Sequence, residues 1–90
     1  MDTRVAVIGV IVENPDSVEA LNNIISEYRD FILGRMGIPY RQRAISIVSL
    51  ALDAPVDIIN ALSGKLGRLS GVTVKTVCAN LSTSNGKALK

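Results

Sequence analysis

The sequence predicts an α+β fold, a ferredoxin-like βαββαβ sandwich whose four-stranded antiparallel sheet, of order 4-1-3-2, carries two helices on one face. Three observations lead to this prediction. An early apolar run has the length of a buried strand, two helical stretches each begin beside a proline, and the strand–helix–strand pattern occurs twice. The 90 residues allow one such domain. We assign it to residues 1–79, followed by a polar C-terminal tail over residues 80–90.

The first strand and helix follow from the opening residues. Arg4–Glu13 is apolar at both alternating sets of positions, which is typical of a central strand covered on both faces. Asn14 is suited to cap a helix that has Pro15 in its first turn. Apolar residues then recur at helical spacing from Val18 to Tyr28, so we expect one amphipathic helix there.

A predicted turn separates the second and third strands. Phe31 begins a less hydrophobic strand, and Gly37–Tyr40 contains the glycine and the proline that are typical of a chain reversal. Val, Ile and Leu dominate Ala44–Asp53, which therefore reads as the third strand.

The second helix begins at Pro55 and keeps one apolar stripe from Ile59 to Leu69. Gly71 suits the left-handed position after a helix, and Val72–Ala79 is the fourth strand. Gly64–Gly67 is similar to the loop that clamps nucleic acid in KH domains, but here it lies within the helical stripe. We therefore expect no direct nucleic-acid binding.

An offset of forty positions aligns the two halves of the chain. Apolar strand residues fall on apolar strand residues, Glu13 falls on Asp53, and Pro15 falls on Pro55. Two repeats of this kind indicate the split βαβ sandwich and not a solenoid. Because both helices of that fold cover one face, the outward apolar residues of the first strand would form an exposed patch typical of an interface. We therefore expect self-assembly as a homodimer or homotetramer.

The composition excludes several kinds of catalytic and metal site. The chain has no histidine, and Cys78 is its only cysteine, so His- and Cys-based nucleophile pairs, thiolate metal sites and an internal disulfide are all unavailable. Glu13 and Asp53 occupy equivalent strand ends, where they could form a carboxylate pair or simply favour the helix starts that follow. We predict no enzymatic activity, no metal and no cofactor. The apolar runs are too short to span a bilayer, so we predict a cytoplasmic protein without membrane contact.

The stretch from Arg35 to Arg43 is the best candidate for a binding site. It combines three arginines with a tyrosine, which suit an anionic or planar ligand through charge-assisted hydrogen bonds and stacking. The alternative is that glycine and proline only reverse the chain, with cations that are solvated or paired with acids of a neighbouring copy. The predicted effector-binding residues are Arg35, Met36, Gly37, Ile38, Pro39, Tyr40, Arg41 and Arg43.

Three segments resemble a family of small proteins named as regulators of iron-only hydrogenase systems. They are Arg35–Tyr40, Ala61–Gly67 and Gly71–Thr76, and the resemblance extends over Arg4–Ala79. It implies a ferredoxin-like domain close to ACT domains and to the C-terminal domain of nickel-responsive repressors, which bind small effectors or metal ions between copies of the domain. Those repressors bind nickel through histidines and DNA through a separate ribbon-helix-helix segment. This sequence has neither, so we expect neither ligand.

Two functional hypotheses follow. The first is an ACT-like oligomeric module that binds a small-molecule effector and passes the signal to a regulated protein. The second is a protein-interaction or structural oligomer without a ligand. An enzyme of this topology, such as an acylphosphatase, would need a phosphate-cradling loop after the first strand, and Pro15 with its flanking acids makes a poor one.

Overall fold

The computed structural model describes residues 2–79, and the predicted tail over 80–90 lies outside the described residues. The elements in chain order are β1 (Arg4–Val12), α1 (Val18–Glu27), β2 (Ile32–Tyr40), β3 (Ile45–Ala54), α2 (Val56–Gly67) and β4 (Val72–Cys78). The strands form one antiparallel sheet of order β2-β3-β1-β4, which is the predicted order read from the other edge. The predicted ferredoxin-like α+β fold is confirmed.

The core is aliphatic and lies between one face of the sheet and both helices. Alternate residues of the two central strands are buried there, which places every second strand position on the helix side. The buried strand residues are Ala6, Ile8, Val10, Val12, Val48, Leu50, Leu52 and Ala54, and the helices contribute Leu21, Ile25, Ile59, Leu62 and Leu66. The intervening positions of each strand point to the opposite surface of the sheet, which we call the open face; on β1 these are Val5, Val7, Gly9 and Ile11.

The starts and ends of the helices agree with the local sequence chemistry. The Asn14 side chain accepts a hydrogen bond from the Asp16 backbone N–H at 3.0 Å, before a 3₁₀ turn over Pro15–Ser17 that leads into α1. Gly71 has φ 69°, as predicted for the residue that follows a helix. The buried Ser17 hydroxyl donates to the Ser70 carbonyl at 2.7 Å, and this bond ties the start of α1 to the turn after α2.

The predicted turn over Gly37–Tyr40 is wrong, because these residues continue β2. Ile38 pairs with Ile47 of β3, and the chain reverses only at a 3₁₀ turn over Arg41–Arg43 followed by Ala44 in the left-handed region at φ 54°. β2 is an edge strand, where a proline without an N–H is tolerated because only one side of the strand is paired. Pro39 therefore does not end the strand.

The structure excludes the carboxylate pair that was one of the two alternatives for Glu13 and Asp53. β1 and β3 are antiparallel, so equivalent strand ends lie at opposite ends of the sheet. Asp53 pairs with Val5, whereas Val12, the neighbour of Glu13, pairs with Ser46. The two acids are about 27 Å apart at the usual rise per residue, which is too far for shared acid–base chemistry.

Candidate functional site

The alternation of β2 divides the predicted site residues between the two surfaces of the sheet. Arg35 pairs with Leu50, which is buried on the helix side, whereas Met36 pairs with Ser49 on the open face. Residues directly opposite in an antiparallel pair share a face. The helix-side set is therefore Arg35, Gly37 and Pro39, and the open-face set is Met36, Ile38 and Tyr40.

The structure does not bring the three predicted arginines together. Arg41 and Arg43 belong to the turn after β2, and both are exposed. Arg35 lies six positions before Arg41, about 20 Å away along an extended strand, and on the opposite side of the sheet from Tyr40. A single ligand of ordinary size cannot contact all of them in one copy of the chain.

Arg35 lies beside a cavity of about 270 Å³ between β2 and α1. One guanidinium nitrogen, Nη2, donates a hydrogen bond to the Asn22 side-chain oxygen Oδ1 at 3.0 Å. The helices leave this edge of the sheet uncovered, since β2 is exposed from Leu33 onward. The cavity is lined by Val12, Val18, Leu21, Asn22, Arg35, Gly37, Ile38, Pro39, Ser46, Ile47 and Val48.

The lining is mostly apolar. Its polar side chains are Arg35, Asn22 and Ser46. A guanidinium has five N–H donors in a planar fork, and among residues 2–79 Arg35 donates one side-chain hydrogen bond, to Asn22. The volume is slightly below the usual range for small-molecule sites. The cavity therefore suits a small anion that also carries an apolar or planar part.

Asn22 and Ser46 are the site residues that the sequence did not reveal. Asn22 is an exposed helical residue next to the buried Leu21, and Ser46 is the second residue of β3. Their only sequence signal is a polar residue beside an apolar stripe. That signal says nothing about which strand lies opposite.

The open face is rich in exposed apolar side chains. They lie on all four strands, and each is between 39% and 70% exposed. A shallow depression of about 300 Å³ lies near the middle, where Gly9 has no side chain, and Ser49, Thr73 and Lys75 form part of its rim. The exposed apolar residues of this face are Val5, Val7, Ile11, Met36, Ile38, Tyr40, Ile47 and Val77.

Lys65 of α2 contacts α1 and not the cavity. Its Nζ lies 3.5 Å from Glu27 Oε1 and 5.1 Å from the centre of the Tyr28 ring. The Tyr28 side chain and, to a smaller degree, Glu27 hold the pKa of Lys65 above its ordinary value. The lysine is therefore charged at neutral pH and bridges the two helices.

Within residues 2–79, no group of three or more His, Cys, Asp or Glu side chains is placed to hold a metal ion. Neither α1 nor α2 is long and apolar enough to cross a membrane.

The chain is similar to solved structures and to one protein family. The structure of the uncharacterized protein TM1266 from Thermotoga maritima is 35% identical, with a TM-score of 0.83 over 87% of this chain and 99% of that one. A formyltetrahydrofolate deformylase from Pseudomonas putida KT2440 shares the fold alone, at 11% identity and a TM-score of 0.61, over 86% of this chain and 29% of the enzyme. No curated protein matches. The TM1266-like family model, described as "Iron-only hydrogenase system regulator, putative", matches residues 4–76, so the resemblance seen in the sequence is confirmed and the chain belongs to this family.

Proposed function

We propose that the chain is a regulatory module that binds a small anionic effector in the cavity beside Arg35. Membership of a family named for regulation supports the general role. The observation that carries the specific proposal is the placement of the Arg35 guanidinium at an apolar cavity, with Asn22 fixing its orientation. This role agrees with the prediction that the chain is not an enzyme.

The charge of Arg35 is available to a ligand. Its hydrogen bond goes to a neutral amide, and within residues 2–79 the ion pair present is between Lys65 and Glu27. A ligand carboxylate or phosphate can accept two parallel bonds from the guanidinium, and a charged hydrogen bond contributes roughly 1.5–3 kcal/mol. The apolar walls supplied by α1 and β3 would then cover the rest of the molecule.

The predicted site residues then have two different roles, effector binding and protein contact. Arg35, Gly37 and Pro39 lie on the helix side of β2, line the cavity and would contact the effector; Ile38 also borders the cavity but occupies an open-face position of the strand. The others, Met36, Tyr40, Arg41 and Arg43, lie outside it and would contact another copy of the chain or the regulated protein.

Thermal unfolding in the presence of small anions tests the proposal. Phosphate, dicarboxylates and nucleotides are suitable probes, because a ligand that binds only the native state raises Tm by mass action. We expect at least one probe to raise Tm in a concentration-dependent way, and Arg35→Gln to abolish that rise. Arg41→Gln is the matched control, since it removes an exposed arginine of the same segment outside the cavity and should retain the rise. An equal loss in both variants would contradict the assignment.

A ligand-free interaction oligomer is the second candidate, and the apolar open face supports it. The two candidates give different results in the same experiment. If no anion shifts Tm while self-association is intact, the chain acts through protein contacts and not through an effector.

A further inference from the structure

Each of the four strands carries a single charged residue, and these residues are divided equally between the two surfaces of the sheet. Arg4 pairs with the buried Ala54 and Arg35 with the buried Leu50, which places both arginines on the helix side. The open face therefore carries two charged strand residues of opposite sign, which are Asp53 of β3 and Lys75 of β4.

These two charges cannot neutralise each other within one copy. Asp53 pairs with Val5 and Lys75 with Gly9, so β1 lies between them and they are offset by four positions. The usual strand spacing and rise put them about 17 Å apart. The Oδ1 atom of Asp53 is buried and accepts no hydrogen bond within the described residues. A carboxylate partly withdrawn from water without a partner is unfavourable.

We propose that a second copy of this chain covers the open face about a two-fold axis that places each Asp53 against the partner's Lys75. A two-fold interface is self-complementary, so one Asp–Lys contact is necessarily accompanied by its symmetric equivalent. Neither charge has an ion-pair partner among residues 2–79, and this arrangement neutralises both at once while removing the apolar residues around them from water.

The strand register places the axis over two exposed apolar residues. By the usual strand spacings, Val7 is about 8 Å from both Asp53 and Lys75, and Met36 is about 14 Å from both. A two-fold axis that runs between the two sheets and places Asp53 against the partner's Lys75 must pass over the positions that are equally far from both residues. Val7 and Met36 are such positions, so each should face the same residue of the partner copy. Their side chains are 43% and 60% exposed.

The area of the open face is sufficient for a specific contact between two copies. Four strands of about nine residues give a face about 19 Å wide and about 30 Å long, or about 570 Å² on each copy. Two such faces together exceed the roughly 1,000 Å² that a biological interface should bury, at the lower end of the size range of specific interfaces.

Exchange of the two charges tests the contact directly, with the dimer dissociation constant measured by sedimentation equilibrium. Asp53→Lys and Lys75→Asp each convert two attractive contacts into two repulsive ones, so each should raise Kd about tenfold or more. The double variant restores the opposite signs and should return Kd to within about threefold of the parent chain. Asp57→Lys on α2 makes the same charge change on the helix side and should leave Kd unchanged.

Cross-linking tests the position of the axis. In a Cys78→Ala background, Val7→Cys and Ile11→Cys introduce thiols on the same strand, the same face and at equal exposure. The two copies of residue 7 meet on the axis, whereas those of residue 11 would be about 22 Å apart by the strand spacings. A short bis-maleimide should therefore link Val7→Cys into dimers and leave Ile11→Cys as single chains.

Three outcomes would overturn the proposal: a chain that stays monomeric at micromolar concentration, a double exchange that does not restore association, or equal cross-linking at both positions. A Kd that neither single charge exchange changes would be a fourth such outcome, and it would indicate edge-to-edge pairing through β2 or β4. The experiment uses no effector, so its failure is independent of the cavity beside Arg35.

Discussion

Gly71 adopts φ 69° in the turn between α2 and β4, and it lies against the chain at the start of the first helix. A Cβ at this position would come within 2.6 Å of the Asn14 Cβ and 3.0 Å of the Asn14 backbone nitrogen. The contact cannot relax by rotation of a flexible side chain, because it involves the backbone. The adjacent Ser17–Ser70 hydrogen bond depends on the same close approach.

We expect Gly71→Ala to lower the free energy of unfolding by about 2–4 kcal/mol, through backbone strain combined with displacement of Asn14. Urea unfolding followed by circular dichroism measures the change. Gly34→Ala is the matched control, because no atom lies within 4 Å of a Cβ built there. A cost for Gly71→Ala no larger than that of the control would show that the turn tolerates the side chain.

For single residues, the sequence predicted the features that depend on neighbouring residues in the chain. Asn14 and Gly71 were predicted correctly, because a cap and a left-handed residue are determined by their immediate neighbours. The Arg35–Asn22 hydrogen bond was not predicted. It joins residues on different elements, and it depends on which strand lies over α1.

Prediction from neighbouring residues alone was wrong for one secondary-structure element, β2. Glycine and proline in Gly37–Tyr40 indicated a turn, but pairing with β3 on one side extends β2 through them. The repeat correctly predicted the strand order, since apolar alternation and paired prolines recur together. It could not show that equivalent residues such as Glu13 and Asp53 end up at opposite ends of the sheet, because strand direction is set by the connections.

The packing of α2 on the sheet leads to a prediction for the core. Leu62 is fully buried in the middle of the helix. We expect Leu62→Ala to lower the free energy of unfolding by about 3 kcal/mol, through lost burial and the cavity left behind. Leu33→Ala removes the same atoms from a side chain that is 67% exposed at the bulge of β2, and it should change stability by less than about 0.5 kcal/mol. Urea unfolding of both variants makes the comparison, and equal costs would contradict the assigned core.

At the scale of the whole molecule, the one-sided covering of the sheet is the dominant property. Both helices pack on one surface, so the apolar residues of the other remain in water in a single copy. The internal repeat, which indicated the fold, and the double apolar alternation of the first strand predicted this asymmetry from the sequence. The Asp53–Lys75 arrangement needed the register of three strands, which no single segment contains.

If a second copy covers that surface, unfolding is linked to dissociation, and Tm should rise with chain concentration. Scanning calorimetry over a hundredfold range of concentration measures the rise. Ile47→Lys, which charges the open face, should remove the concentration dependence. Val56→Lys changes a residue of similar exposure on α2 and should retain it. A Tm independent of concentration in the parent chain would argue for a monomer.

The alternation of β2 has a thermodynamic consequence. Successive residues, Arg35 and Met36, belong to the cavity and to the proposed two-fold axis. A displacement of this edge strand therefore alters both surfaces together, and an edge strand is paired on one side only. Around a closed cycle of binding and association, reciprocity then holds: for each effector bound, the dimer constant changes by the same factor by which dimerisation changes the affinity of that site. Effector binding in the cavity on one surface of β2 would thus change the dimer constant of the interface on the other surface of the same strand.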